Sequence, residues 1–250
     1  MIWSLRLVFC VLLMTRVAAA KEADPPCVSQ TFEGSLFTVC AFNAHEHDLR
    51  IVWADSRGSA LRGFAALQQS LGARARVRFA MNAGMFDDTG APVGLFVANG
   101  RQERRLETGS GNGNFFLKPN GVFVIDAGGA HVETTDFYSR RAARTLTATQ
   151  SGPMLVIGGA LNTAFQADGP SRFVRNGVGV RDASHAFFAI SEAPVSFGKF
   201  ARFFRDGLQC QNALYFDGAV SSLWVPSQGR MDSAHPLGPM IVVENKVPAG

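Results

Sequence analysis

A single α+β domain with more strand than helix is the fold class that the sequence predicts, and three features predict it. The 250 residues are 47% hydrophobic and 18% charged, enough apolar material for a large core, which excludes a disordered, collagenous or coiled-coil chain. Short apolar runs separated by glycine-rich turns recur from Phe37 to Glu244, the pattern of strands. By contrast, only two stretches repeat their apolar residues at helical spacing. No linker, repeat or low-complexity run intervenes, so residues 21–250 read as one domain.

Residues 1–20 hold Arg6, the apolar run Leu7–Met14, Arg16 and the small-residue end Val17-Ala18-Ala19-Ala20, which is the layout of a secretory signal peptide cut after Ala20. The run is too short to span a bilayer, and no later segment approaches about 18 uninterrupted apolar residues. An exported protein, periplasmic or secreted and without a stable membrane anchor, is therefore expected. Cys10 follows Val8 and Phe9, where a lipidation signal would want small residues, so it reads as part of the apolar run. Loss of Arg6 and Arg16 lowers the formal charge from +4 to +2, and the remaining basic residues are scattered. Neither nucleic acid nor a membrane surface is indicated.

In chain order, Phe37–Phe42 and Leu49–Ala54 flank the polar stretch Asn43–Asp48 and are predicted as a hairpin. Leu61–Leu71 puts Leu61, Phe64, Ala65, Leu67 and Leu71 at helical spacing, with Gly72 as the stop. Arg76–Met81 alternates as a strand with a wet Arg face, and Gly94–Ala98, Asn114–Leu117, Gly121–Asp126 and Met154–Ile157 follow as strands. In the second half Val178–Arg181 and Ala186–Ser191 are strands. Ser196 then N-caps a helix whose stripe of Phe197, Phe200, Ala201, Phe203, Phe204 and Leu208 lies opposite Lys199, Arg202, Arg205 and Asp206. That stripe reads as core. Asn212–Phe216 is a strand running into Asp217-Gly218, and Pro239–Glu244 is the last strand.

Three cysteines remain after export, and an oxidising compartment favours one disulfide. Cys27 with Cys40 would pin the N-terminal segment onto its own hairpin, whereas Cys40 with Cys210 would tie the first strands to the last third. Sequence does not fix connectivity, and the local pair is preferred. The third thiol is expected to be buried and inert.

Few motifs carry chemistry on their own. His45-Glu46-His47-Asp48 could present two imidazoles to a metal, but without an obvious third ligand it reads as a solvated turn. His131, His185 and His235 are isolated, and Gly109–Asn114 fails the G-x-G-x-x-G spacing. Two stretches are harder to explain as scaffold. Phe79–Met81 runs into Asn82-Ala83-Gly84-Met85-Phe86-Asp87, and Leu214-Tyr215-Phe216 delivers Asp217-Gly218 into a turn. Each could be a plain tight turn, with the carboxylate capping backbone N–H groups.

Five blocks in order resemble the phosphodiester glycosidase family: Asn82-Ala83-Gly84-Met85-Phe86, Pro92-Val93-Gly94-Leu95, Gln150–Leu155, Arg175–Val180, and Asn212–Gly218 with Ser221. The resemblance runs from about Phe37 to Val243. It implies curved, mixed or antiparallel sheets with a few packed helices, the motif loops gathered at one rim, and hydrolysis of a sugar-1-phosphodiester to free sugar and phosphomonoester. Asp217 would be the base or nucleophile, and Arg175 would grip the diester phosphate with its fork. Asn82, Ser151 and Ser221 would hold sugar hydroxyls or phosphate oxygens, while Gly84, Gly152 and Gly218 would allow close backbone approach. Because phosphate is a weakly basic leaving group, one carboxylate could suffice. Glu192, at the end of Ala186–Ser191, is the candidate second carboxylate or else a surface residue.

No cofactor is called for, although a divalent ion assembled by folding would be invisible in sequence. Ala219-Val220 stands where family members often continue with glycines, and Asn176-Gly177 replaces the commoner Thr-Ala. Both changes bear on the sugar pocket more than on the reaction class. Two rival readings are a non-catalytic carbohydrate-binding or polysaccharide-assembly protein on the same fold, and a phosphodiesterase cutting the P–O bond.

Overall fold

The computed structural model describes residues 25–73, 75–141 and 144–246, so the predicted signal peptide and Cys10 lie outside the described residues. The chain opens with β1 (Cys27–Phe32), β2 (Ser35–Asn43), β3 (His47–Val52), helix α1 (Phe64–Leu71) and β4 (Val77–Asn82). Next come β5 (Phe96–Ala98), β6 (Arg101–Arg104), a 3-10 turn over Asn114–Phe116, β7 (Gly121–Asp126), β8 (Gly129–Thr134), α2 (Thr135–Tyr138) and β9 (Thr145–Ser151). Then follow β10 (Met154–Ile157), β11 (Ala160–Leu161), β12 (Arg172–Phe173), β13 (Asn176–Asp182), β14 (His185–Ser191) and β15 (Val195–Ser196). Helix α3 (Phe197–Arg202) continues as a π-helical turn over Phe203–Gly207, and β16 (Asn212–Asp217), β17 (Leu223–Val225), β18 (Arg230–Met231) and β19 (Met240–Asn245) complete the chain.

Three antiparallel sheets carry the architecture. A seven-stranded sheet has the order β1-β2-β14-β13-β16-β10-β11, and two five-stranded sheets have the orders β18-β17-β4-β19-β3 and β6-β5-β9-β7-β8. The main core joins them. Phe79 from β4, Phe123 from β7, and Phe188, Leu214 and Phe216 from the seven-stranded sheet are all buried in one cluster. Phe188 is the junction, with ring centroids 5.5 Å from Phe79 and 5.6 Å from Phe123.

The opposite face of the large sheet is covered by α3. Its predicted apolar stripe is core, and Phe203 stacks on Phe37 with centroids 3.9 Å apart. The Ser196 hydroxyl accepts from the Lys199 N–H at 3.1 Å, the predicted N-cap. Helix α1 lays Phe64 and Leu67 against Trp224, Ala80 and Val242.

The α+β class with packed sheets is as expected, and the local disulfide is present: Cys27 and Cys40 face each other across β1 and β2. Cys210 is a buried free thiol, which burial pushes up to about 12. Two expectations fail. Phe37–Phe42 and Leu49–Ala54 are not a hairpin, because β2 pairs with β1 and β14 while β3 pairs with β19 in another sheet. The polar stretch between them is a corner where the chain changes sheets, held by the Asn43 N–H donating to His47 Nδ1 at 3.0 Å. Asn114–Leu117 is also not a strand, since Phe115 is buried from a 3-10 turn.

Candidate active site

Strand β16 lies between β13 and β10 in the middle of the large sheet, and its apolar residues commit it to both faces of the core. Where β16 meets β13 the register slips. Asn176 pairs with Asp217 but Gly177 pairs with Tyr215, which leaves Phe216 as the extra residue of a bulge. Gly177 is required there, because a Cβ would collide with the Leu214 carbonyl. The bulge ends the strand with Asp217 only 7% exposed. Its Oδ1 accepts from the N–H groups of Ala219 at 2.5 Å and Val220 at 2.9 Å. Burial pushes the Asp217 carboxyl above the ordinary carboxylate range, opposed by the backbone donors of Val220, Ala219 and Gly218 and by the nearby His235.

A buried polar clamp holds the end of β16 in place. Asn82, the last residue of β4, is 1% exposed. Its Oδ1 accepts from the Ser222 N–H at 2.8 Å and from Asn176 Nδ2 at 2.9 Å, while its own Nδ2 is buried without a hydrogen-bond partner. The Ser221 hydroxyl has the Val174 carbonyl at 2.9 Å, the Asp217 carbonyl at 3.0 Å and Asn176 Oδ1 at 3.3 Å, and can donate to one of them at a time. From the neighbouring sheet, the buried Ser151 hydroxyl at the end of β9 donates to the Phe216 carbonyl at 3.2 Å. Asn82, Ser151 and Ser221 therefore converge on Asp217, but the Ser151 hydroxyl is spent on backbone rather than open to a ligand.

The glycines serve packing. Gly84 has φ +79°, and its turn presses on Thr149 and Gln150 of β9, whereas Gly152 packs on the 3-10 turn and Asn120. Gly218 has the Tyr215 hydroxyl where a Cβ would be.

Arg175 requires a correction. Its side chain is fully buried, Nε donates to the Val195 carbonyl at 2.9 Å, and Nη2 donates to the Ser171 carbonyl at 2.9 Å and Oγ at 3.1 Å. The guanidinium lies 3.6 Å from the Phe197 ring centroid, with Phe173 and Tyr215 at 5.5 and 5.4 Å. The fork expected to grip phosphate is thus occupied, and only Nη1 is unpartnered. Burial pushes the guanidinium down from its ordinary value and the Tyr215 phenol opposes that.

Two cavities meet at the Gly218-Ala219 turn. The smaller, about 230 Å³, is lined by Met85, Asn114, Phe173, Tyr215 and Asp217 besides the turn. The larger, about 590 Å³, is bordered by Val174, Ser221, Ser222, Asp232, Ser233 and His235. Glu192 lines neither. It follows the end of β14 on the surface, where its Oε1 accepts from Thr38 Oγ1 and from Arg230 Nη1, both at 2.6 Å. A second catalytic carboxylate is therefore not brought to Asp217 from that position.

Sequence reasoning missed Tyr215, Asn114, Phe173 and His235 as parts of the site. Tyr215 stands two residues before Asp217, a spacing that can bring both to one face of a strand. Asn114 was hidden by the strand reading of its segment.

A profile described as phosphodiester glycosidase matches residues 75–250, which takes in β4, the bulged β16 and the turn carrying Asp217. Uncharacterized protein YigE of Escherichia coli (strain K12) is 30% identical over 243 residues, 97% of this chain and 94% of that protein. Among solved structures, the catalytic domain of zebrafish N-acetylglucosamine-1-phosphodiester α-N-acetylglucosaminidase, auto-inhibited by its pro-peptide, aligns with a TM-score of 0.61. It shares 13% identity and covers 88% of this chain and 82% of that one. A hypothetical protein from Synechocystis aligns with a TM-score of 0.50 at 15% identity, covering 88% and 61% of the two chains. The fold is shared with those structures, and the profile match across most of the chain, together with the YigE relationship, shows that this protein belongs to the phosphodiester glycosidase family.

Proposed function

We propose that the protein is an exported hydrolase that cleaves the glycosyl–phosphate bond of a sugar-1-phosphodiester, such as material of the cell envelope or an exopolysaccharide. One observation carries the reading: a buried carboxylate, Asp217, borders a cavity of about 230 Å³ whose other walls are Met85, Phe173, Tyr215 and Asn114. These walls suit a single sugar ring, with apolar and aromatic surface for its C–H face and the Asn114 amide for its oxygens. The phosphate would lie at the Gly218-Ala219 turn beside the Tyr215 hydroxyl, and the adjoining larger cavity, with Ser233 and His235, would take the group beyond it.

The chemistry needs one carboxylate. Asp217 takes a proton from water as the water oxygen bonds to the anomeric carbon, or attacks that carbon itself ahead of water. The C1–O bond breaks, and its electron pair leaves with the phosphomonoester, a group that departs without a strong general acid. The engagement of Glu192 with Arg230 and Thr38 supports this single-carboxylate scheme. Export is supported by the signal-peptide pattern of residues 1–20 and by the Cys27–Cys40 disulfide, which suits an oxidising compartment. No helix among the described residues is long and apolar enough to cross a membrane.

The test is a panel of sugar-1-phosphodiesters incubated with the purified protein and with Asp217→Asn, with free sugar and phosphomonoester followed by NMR. Release by the parent, reduced at least about a thousandfold in the variant, is expected for loss of an essential base or nucleophile. Equal rates would remove Asp217 from the chemistry, and sugar binding without release from any diester would favour a non-catalytic binding protein.

A further inference from the structure

Arg175 is a buried cation without a counter-ion. Among the described residues it forms no ion pair, and its neighbours are carbonyls, a hydroxyl and three aromatic rings. A charge removed from water in this way calls for an anion nearby, and among the described residues none pairs with it. Its one unpartnered nitrogen, Nη1, is itself shielded from solvent, and Arg175 is not among the residues that line the small cavity. Two of the rings that flank the guanidinium, Phe173 and Tyr215, do line it. Any anion in the cavity therefore meets Tyr215 before it meets Arg175.

The phenol is placed for that contact. Tyr215 is 1% exposed and wedged edge-on against Phe197, with centroids 4.8 Å apart, and its hydroxyl rests on Gly218 beside the Asp217 turn. Both Arg175 and Asn114 interact with the phenol. Burial pushes its pKa up, so it remains a proton donor in hydrogen bonds.

We propose that Tyr215 is a catalytic hydrogen-bond donor to the scissile phosphate, and that Arg175 is a positioning residue acting through it rather than by gripping phosphate itself. This rests on the diester reading of the site. The phenol O–H donates to a phosphate oxygen, and the Arg175 guanidinium beside it polarises the phenol and strengthens that bond. As the C1–O bond breaks, negative charge grows on the phosphate and the bond tightens, which is transition-state stabilisation without proton transfer.

The chain has only two tyrosines, Tyr138 and Tyr215, so protein labelled with ¹³C at tyrosine Cζ gives two signals, and Tyr215→Phe identifies which is which. Titration with inorganic phosphate and with α-glucose 1-phosphate should shift the Tyr215 signal and leave that of Tyr138 in place. An unmoved Tyr215 signal at the highest concentrations of both probes would overturn the assignment. In parallel, kcat/KM on any diester that the parent cleaves should fall roughly 100-fold in Tyr215→Phe, mostly in kcat. Arg175→Lys should lose a similar factor, and the double variant little more than either single one, because one contact is lost in every case. Losses that multiply would mean that Arg175 acts independently of Tyr215. Turnover by the parent with an unmoved Tyr215 signal and an unaffected Tyr215→Phe variant would sink this proposal and leave the hydrolase reading standing. A moving signal without turnover of any diester would leave Tyr215 as a phosphate-binding group and remove its catalytic role together with the hydrolase reading.

Discussion

Asp217 combines two demands that a surface carboxylate does not face, because the burial that shapes it for chemistry also opposes its charge. Its pKa is raised above the ordinary value of 3.8, so the penalty falls on the ionised form. That penalty is absent below the unfolded-state value, grows as pH rises from there to the folded-state one, and is fully present above it. Asp217→Asn keeps an Oδ1 to accept from Ala219 and Val220 and removes the charge. It should therefore raise the thermal midpoint by roughly 2–4 °C at pH 7, and the gain should vanish below about pH 3.8, as read by calorimetry across pH. For the same reason the acid limb of kcat/KM should lie above the ordinary Asp range. At this scale the sequence grouped residues that the fold also brings together, since Asn82, Ser151 and Ser221 gather around the end of β16 that carries Asp217. It did not show which way the side chains face: Arg175 turns into the α3 side of the sheet, and Tyr215, read as one residue of an apolar strand, faces the cavity instead.

Single elements are held together by local chemistry that was mostly legible. Ser196 and the stripe from Phe197 to Leu208 announce α3, and the cap has consequences at the site because Phe197 stacks on the Arg175 guanidinium. Ser196→Ala should cost about 1 kcal/mol in denaturant unfolding and, by loosening Phe197, should lower turnover as well. Retention of full turnover in a measurably destabilised variant would separate the helix end from the site. Strand pairing was the illegible part. Periodicity marks that Phe37–Phe42 and Leu49–Ala54 are strands, yet their partners are fixed by burial against β14 and β19, far along the chain. Strand β9 was missed because its inward positions Thr147, Thr149 and Ser151 are polar but buried, so no apolar alternation signals it.

On the scale of the molecule, three antiparallel sheets meet at Phe188, and the site lies where the ends of β4, β9 and β16 come together. Composition and the glycine-punctuated runs were sufficient for the α+β class, whereas sheet order depends on long-range contacts that no local pattern encodes. The edge of the large sheet is fastened by Cys27–Cys40, a closure 13 residues apart. Replacing both cysteines by Ala should cost about 3 kcal/mol in unfolding while sparing activity, because the bond lies at the β1 edge, away from Asp217. The central claim concerns which bond breaks, and hydrolysis of a sugar-1-phosphodiester in ¹⁸O-labelled water tests it most directly. Cleavage of the C1–O bond predicts ¹⁸O in the released sugar and none in the phosphomonoester, whereas label in the phosphate would mean attack at phosphorus and would contradict the account.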